Sequence, residues 1–164
     1  MEVGKMRKQR KWWLVMGAVV VVLFISSSMT YGQQTLIPLL QRLLARQPGR
    51  GLLSGIDFTY AGTRISIRHL GYFAFIEFFL RKSAHVAIYF LLGLAGSFGL
   101  QKRVTPTWLR AVLTVLACAG VAAFDEFHQL LTGGRSPLFQ DVMLDTVAAA
   151  VAVGLGLLLT RRRR

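Results

Sequence analysis

Apolar residues in this 164-residue chain fall into four blocks, each close to the length that crosses a membrane. The blocks cover residues 12–30, 83–100, 107–124 and 142–160, and none contains an internal proline. A helix needs about 20 apolar residues to span the hydrocarbon of a bilayer. The pattern therefore predicts an all-α membrane protein with about four transmembrane helices, forming a single domain over residues 1–164.

The first block also resembles a secretory signal peptide, because a basic stretch precedes it. The apolar run is longer than a typical signal core, however, and no A-x-A cleavage site follows it. These features favour an uncleaved membrane helix.

The long segment between the first two blocks, residues 31–80, contains helical signals of its own. The string LIPLLQRLL has leucines at helical spacing, which predicts a short helix lying in the membrane interface. Residues 57–67 carry few helix signals. The string LGYFAFIEFFL is apolar except for Glu77, and it either extends the second helix outward or forms a separate re-entrant piece.

Charge sets the expected orientation of the helices. The chain is 54% hydrophobic, with 20 Lys and Arg against 7 Asp and Glu and a net charge of +13. The basic residues flank the apolar blocks instead of forming a stripe with aromatic residues, which argues against nucleic-acid binding. Both tails and the connection carrying Lys102 and Arg103 are basic, so both termini are expected in the cytoplasm. Residues 31–80 then face outward, although they also contain arginines.

Ionisable and polar side chains interrupt this apolar pattern at a few positions. They are Lys82, His85, Asp125, Glu126, Gln129, Asp141 and Asp145. Charged groups are costly in hydrocarbon, so intramembrane ionisable residues indicate a functional site by default. In the expected topology, all of them gather near the outer ends of the second, third and fourth helices.

The chemistry of this polar set leaves several roles open. Lys82 and Arg135 are expected to pair with some of the four acids, because an unpaired charge at this depth is unfavourable. The remaining carboxylates suit a proton, a metal ion or a cationic group. No HExxH or Cys-x-x-Cys spacing supports a metal, and we assign no metal and no cofactor. The alternative is an internal salt-bridge network that only locks three helices together.

Several nearby residues have plainer interpretations. Tyr89 is typical of a packed tyrosine with a hydrogen-bonded hydroxyl, and the role of His128 stays open. The serines at residues 26–28 suit helix packing or the interface. The small residues at helix contacts are expected to be Gly93, Gly96, Ala148 and Ala152. The single cysteine, Cys118, cannot form an internal disulfide.

Three strings together resemble the VanZ-like family: RKSAHVAIY at residues 81–89, DEFHQLLTGGRS at residues 125–136 and DVMLDT at residues 141–146. The matching residues are Lys82, His85, Tyr89, Asp125, Glu126, Gln129, Arg135, Asp141 and Asp145. Ala148 and Ala152 stand where this family usually has glycines. The resemblance implies a multi-pass protein of the bacterial cell membrane, linked with lower susceptibility to teicoplanin and other lipoglycopeptides. It implies no established reaction.

Three functions remain compatible with these residues. The first is binding or modification of a lipid-linked, phosphate-bearing envelope molecule at the outer face. Its candidate catalytic residues are Lys82, His85, Asp125, Glu126 and Asp141, and its binding residues are Lys82, His85, Tyr89, Gln129, Arg135 and Asp145. The second is an ion- or proton-coupled transporter, for which four spans would require a homo-oligomer. The third is a structural partner protein. The binding partners expected from the sequence are membrane lipids.

Overall fold

The computed structural model describes residues 2–132 and 137–161 of the chain. In chain order, its elements are α1 (Glu2–Ser27), α2 (Tyr31–Gln34), α3 (Ile37–Leu43), α4 (Arg50–Leu53), β1 (Asp57–Tyr60), β2 (Thr63–Ser66), α5 (Ile67–Leu70), α6 (Tyr72–Gly99), α7 (Thr107–Thr132) and α8 (Phe139–Arg161). Four helices, α1, α6, α7 and α8, are long and apolar enough to cross a membrane. The prediction of an all-α membrane protein with four such helices is confirmed.

The long helices extend beyond the apolar blocks that predicted them. Helix α6 begins at Tyr72, so the LGYFAFIEFFL string extends the second helix and is not a separate re-entrant piece. Helix α7 continues to Thr132, which places Asp125, Glu126 and Gln129 inside the helix. Helix α1, by contrast, ends at Ser27, before the predicted end of the first block. Hydropathy detects only the apolar part of a helix, whereas backbone hydrogen bonding continues through polar positions.

Neighbouring long helices alternate in direction. The rings of Trp12 and Phe98 stack at 4.9 Å, so the start of α1 lies beside the end of α6. At the opposite end, Ser27 Oγ is 2.8 Å from His128 Nδ1 near the end of α7. We call the end of the bundle with Ser27 and His128 the polar end, and the end with Trp12 and Phe98 the basic end.

Small residues allow the long helices to approach one another closely. A Cβ atom added to Gly93 would lie 2.5 Å from the carbonyl oxygen of Ala149 on α8. A Cβ atom on Gly96 would lie 2.5 Å from Cγ2 of Thr114 on α7. Ala148 and Ala152 are buried. The small residues therefore occupy helix contacts, as the sequence indicated, because side chains without bulk let helices pack tightly in lipid.

The segment between α1 and α6 covers the polar end of the bundle. Strands β1 and β2 form an antiparallel hairpin. Its two turn residues, Ala61 and Gly62, both have positive φ, as the two-residue turns that suit the twist of a hairpin require. The short helix expected in LIPLLQRLL is present as α3, which packs against α6.

Candidate functional site

Two polar side-chain pairs join α6 to α8 at the polar end. Lys82 Nζ lies 2.5 Å from Asp141 Oδ1 and 2.6 Å from Asp141 Oδ2. One turn further along, His85 Nδ1 lies 3.2 Å from Asp145 Oδ2. The helical spacing of residues 82 and 85, and of 141 and 145, puts each set on one face. The expectation that Lys82 pairs with one of the acids is confirmed.

Tyr60 from the hairpin completes the surroundings of Lys82. Its hydroxyl donates a hydrogen bond of 2.5 Å to Asp141 Oδ1, and its ring centroid lies 4.8 Å from Lys82 Nζ. Burial, together with the hydrogen bond to Asp141, raises the pKa of the Tyr60 phenol above its usual range. Because the phenol stays protonated, it remains a donor to the carboxylate. Lys82 Nζ therefore lies between a carboxylate and an aromatic ring, which is the geometry of a cation–π contact.

The polar residues of α7 make their own contacts. Gln129 Nε2 donates to Asp125 Oδ2 at 3.0 Å, and the backbone N–H of Leu138 donates to Glu126 Oε2 at 2.9 Å. Asp125, Glu126 and Gln129 are all buried. Glu126 therefore ties α7 to the residues just before α8, while Asp125 pairs along its own helix.

Two buried polar atoms near these contacts have no hydrogen-bond partner in the described part of the chain. Tyr89 is 0% exposed and its ring stacks beside His85 at 6.3 Å. Its hydroxyl has no hydrogen-bond partner among the described residues, which differs from the expectation of a bonded tyrosine. Asp145 is 2% exposed, and its Oδ1 likewise lacks a partner in the described part of the chain. Unsatisfied buried polar groups are unfavourable and often mark functional positions.

Arg81 and Glu77 form an ion pair that the sequence analysis did not include in the site. Arg81 Nε and Nη2 donate to Glu77 Oε1 at 3.1 and 2.8 Å. The same oxygen accepts the backbone N–H of Leu36 at 2.9 Å, so Glu77 also anchors the start of α3. Arg81 Nη1 reaches Gln34 Oε1 at 3.4 Å, and its guanidinium lies 4.6 Å from the ring centroid of Tyr31. The i,i+4 spacing of an acid and a base was a signal that could have revealed this pair.

A cavity of about 730 Å³ opens at the polar end. It is lined by Ser26, Met29, Tyr31, Gln33, Gln34, Thr35, Leu36, Thr63, Leu80, Arg81, Lys82, Ala84, His85, Glu126, Gln129, Leu138 and Asp141. The predicted site residues thus divide into lining residues and buried residues behind them. Tyr89, Asp125 and Asp145 are in the buried group. Arg135 lies outside the residues that the structure describes.

With this geometry established, comparison with known proteins gives a clear result. A profile of the VanZ/LLP1 family matches residues 12–160, which include α6, α7, nearly all of α8, most of α1 and the described polar site. The chain belongs to the VanZ/LLP1 family. No match was found among curated proteins or among solved structures. Membership in VanZ/LLP1 and the four apolar helices together fit a multi-pass membrane protein.

The histidines and carboxylates at the polar end have different surroundings. Within residues 2–132 and 137–161, no group of three or more His, Cys, Asp and Glu is arranged to hold a metal ion. His85 lines the cavity and has Asp145 behind it, so the carboxylate can orient the imidazole. His128 is placed differently, since it stacks on Phe24 at 4.8 Å and joins α7 to α1.

Proposed function

We propose that the cavity at the polar end binds a lipid-linked, phosphate-bearing molecule of the cell envelope. The observation that carries this proposal is the composition of the cavity wall. Arg81 and Lys82 lie in the same wall as the exposed apolar side chains of Met29, Leu36 and Leu80. Such a wall suits an amphiphile whose charged head meets cations while its chain stays against apolar surface.

Arg81 is the residue best placed to receive a phosphate oxygen. Its Nε and Nη2 donate to Glu77, whereas Nη1 makes a long contact of 3.4 Å with Gln34. A phosphate oxygen would replace that contact with a shorter, charge-assisted hydrogen bond. Lys82 adds a second positive charge beside it, and Asp141 and Tyr60 keep that ammonium in a fixed position.

A modifying reaction at this site would use His85 as the general acid or base. The imidazole faces the cavity, and Asp145 holds it from the buried side. Glu126 also lines the cavity and offers a carboxylate within the same space. A histidine and a carboxylate that face one bound molecule are the usual requirement for proton transfer to and from it.

The location of the cavity supports a role at the outer leaflet. The start of α1 and the connection with Lys102 and Arg103 lie at the opposite end of the bundle, and the positive-inside tendency favours the cytoplasm for that end. Lipoglycopeptides such as teicoplanin act outside the membrane on lipid-linked precursors. An outward site for such a lipid is consistent with the reduced teicoplanin susceptibility that is linked with the family.

The test is to compare the lipids retained and converted by purified wild type, Lys82→Ala and Asp125→Asn. We expect Lys82→Ala to retain the phosphate-bearing lipid about tenfold less, because a charge-assisted contact is lost. Asp125 does not line the cavity, but its carboxylate interacts electrostatically with His85, so Asp125→Asn should retain the lipid and lower only its conversion. Lys102→Ala, which removes the same charge at the basic end, is the matched control. Equal retention and conversion of every candidate lipid in all four proteins would overturn the proposal.

The unpaired atoms of Tyr89 and Asp145 favour a second candidate function, a proton-coupled one. The unpaired Oδ1 of Asp145 lies inside the bundle, where carboxylates form part of proton relays in pumps and transporters. This candidate predicts a proton flux into proteoliposomes that Asp145→Asn abolishes. A flux that is the same in wild type, in Asp145→Asn and in protein-free liposomes would contradict it.

A further inference from the structure

Helix α3 exposes an apolar stripe on the side that faces away from the protein. Leu36, Leu39 and Leu43 follow i, i+3, i+7 spacing and therefore share one face of the helix. Leu39 is 52% exposed and Leu43 is 70% exposed, whereas Leu40 on the adjoining face is buried. Leu52 on α4 is 88% exposed. The segment thus has more apolar surface than the protein itself covers.

Arginines border this apolar stripe. Arg42 and Arg46 are four residues apart and exposed, and Arg50 begins α4. Within the residues that the structure describes, neither Arg42 nor Arg46 takes part in a salt bridge. Residues 31–56 contain these arginines and no acidic residue. Leucines beside unpaired arginines are typical of a helix that lies in the membrane interface.

The length of α6 places α3 at the level of the lipid headgroups. Helix α6 has 28 residues, and at 1.5 Å per residue it is about 42 Å long, compared with about 30 Å of hydrocarbon. About 12 Å of α6 therefore extends beyond the hydrocarbon at the polar end if its other end lies at the opposite boundary. Leu36 N, at the start of α3, bonds to Oε1 of Glu77, whose backbone lies about 8 Å along the axis from the start of α6.

We propose that this surface, the arginine–leucine face (Leu39, Arg42, Leu43, Arg46 and Leu52), binds anionic phospholipids of the leaflet at the polar end. The leucines enter the boundary of the acyl chains, and the arginines contact headgroup phosphates. Charge decides between lipid and a second copy of the chain as the occupant. Two copies joined through this face would oppose arginines with arginines, whereas an anionic headgroup complements them. The inference does not depend on the function proposed for the cavity.

The first experiment measures lipid selectivity in the full-length protein. The protein is exchanged into bilayers of phosphatidylcholine with a minor share of phosphatidylglycerol, extracted gently, and its retained lipids are quantified by mass spectrometry. We expect enrichment of phosphatidylglycerol that falls about fivefold for each arginine removed in Arg42→Gln and Arg46→Gln. Added salt should weaken the enrichment as well, because screening shortens the reach of surface charges.

The matched control is Arg64→Gln, which removes the same charge from the hairpin at the same end. Arg64 is already paired with Asp57 at 2.7 Å, so its loss should leave the lipid ratio close to wild type. If Arg64→Gln lowered the phosphatidylglycerol enrichment as much as Arg42→Gln does, only net charge would matter. That result would overturn the proposal. No enrichment in the wild type would overturn it too.

The second experiment measures depth, and it does not rely on the arginine variants. A spin label is placed at Leu43→Cys or at Thr59→Cys in a Cys118→Ala background, which removes the native cysteine. In vesicles, we expect the label at residue 43 to collide mainly with oxygen and the label at residue 59 mainly with a soluble nickel complex. Equal nickel accessibility at both positions would overturn the proposal. So would strong dipolar broadening between labels at residue 43, which would indicate a second copy on this face.

Discussion

Glu77 shows how one buried carboxylate can organise several elements of this protein. It is 1% exposed, accepts two hydrogen bonds from Arg81, and also accepts the backbone N–H of Leu36 and the hydroxyl of Thr35. The link between α2 and α3 is therefore attached to α6 through a charged group. Removing the charge would leave the largely buried Arg81 guanidinium without its counter-ion.

We predict that Glu77→Gln lowers the free energy of unfolding by about 3 kcal/mol, the usual cost of breaking a buried ion pair by removing one partner. The measurement is thermal or denaturant unfolding of the protein in detergent. The control is Asp57→Asn, which breaks the Arg64–Asp57 pair on the exposed hairpin. That pair is screened by water, so its loss should produce no measurable change. Equal destabilisation by the two variants would contradict the role assigned to Glu77.

At the residue scale, the sequence predicted the site in part. Lys82 was expected to pair with an acid because an isolated charge at that depth is unfavourable, and the partner proved to be Asp141. The contribution of Tyr60 could not be predicted, since it meets Asp141 across 81 positions of the chain. No local pattern records a contact of that separation, because it arises only after the hairpin folds over the bundle.

At the scale of elements, α6 and α8 contact each other through two different kinds of residue. Near the polar end, Lys82 and His85 on α6 meet Asp141 and Asp145 on α8. Further towards the basic end, the contact is made by small residues, and Gly93 lies directly on the backbone of α8 at Ala149. The charged pairs set which faces meet, while the small residues let the helices pack closely.

We predict that Gly93→Ala destabilises the bundle by about 2 kcal/mol, the typical cost of forcing an extra group into a well-packed contact. The added Cβ would lie 2.5 Å from a backbone oxygen, so α6 and α8 would have to separate. Gly120→Ala is the matched control, because a Cβ on Gly120 of α7 meets nothing within 4 Å. The Gly120→Ala variant should be as stable as the wild type or more stable, because alanine favours the helix more than glycine does. The stability of both variants is measured from unfolding curves in detergent. An unfolding midpoint of Gly93→Ala at or above that of Gly120→Ala would contradict the close contact between α6 and α8.

The elements themselves were predictable to different degrees. Hydropathy located the four long helices, because lipid requires about 20 apolar residues in a row. Hydropathy predicted too late a start for α6 and too early an end for α7. The reason is that Glu77, Asp125 and Glu126 are polar residues that still lie within these helices. The hairpin was not predicted, because its strands of four residues are mostly exposed and show no clear alternation.

The molecule as a whole concentrates its acidic residues at one end. Of its seven acidic residues, only Glu2 belongs to the basic end, where α1 begins. The others lie in the polar site, beside it, or in the hairpin that covers it. The connection with Lys102 and Arg103 is at the basic end, where the Arg103 guanidinium lies 5.4 Å from the ring of Trp13. Basic residues in short connections are enriched on the cytoplasmic side of membrane proteins, so Lys102 and Arg103 predict that the polar end faces outward.

This orientation can be measured with single cysteines in the Cys118→Ala background. We predict that a membrane-impermeant maleimide labels Thr59→Cys in intact cells and labels Lys102→Cys only after lysis, because residue 59 lies on the hairpin at the polar end and residue 102 at the basic end. Both side chains are exposed, so a difference in labelling reports sidedness and not burial. The wild type supplies the control, since its buried Cys118 should stay unlabelled in intact cells. Labelling of Lys102→Cys without lysis would reverse the orientation and place the cavity in the cytoplasm, out of reach of any molecule in the outer leaflet.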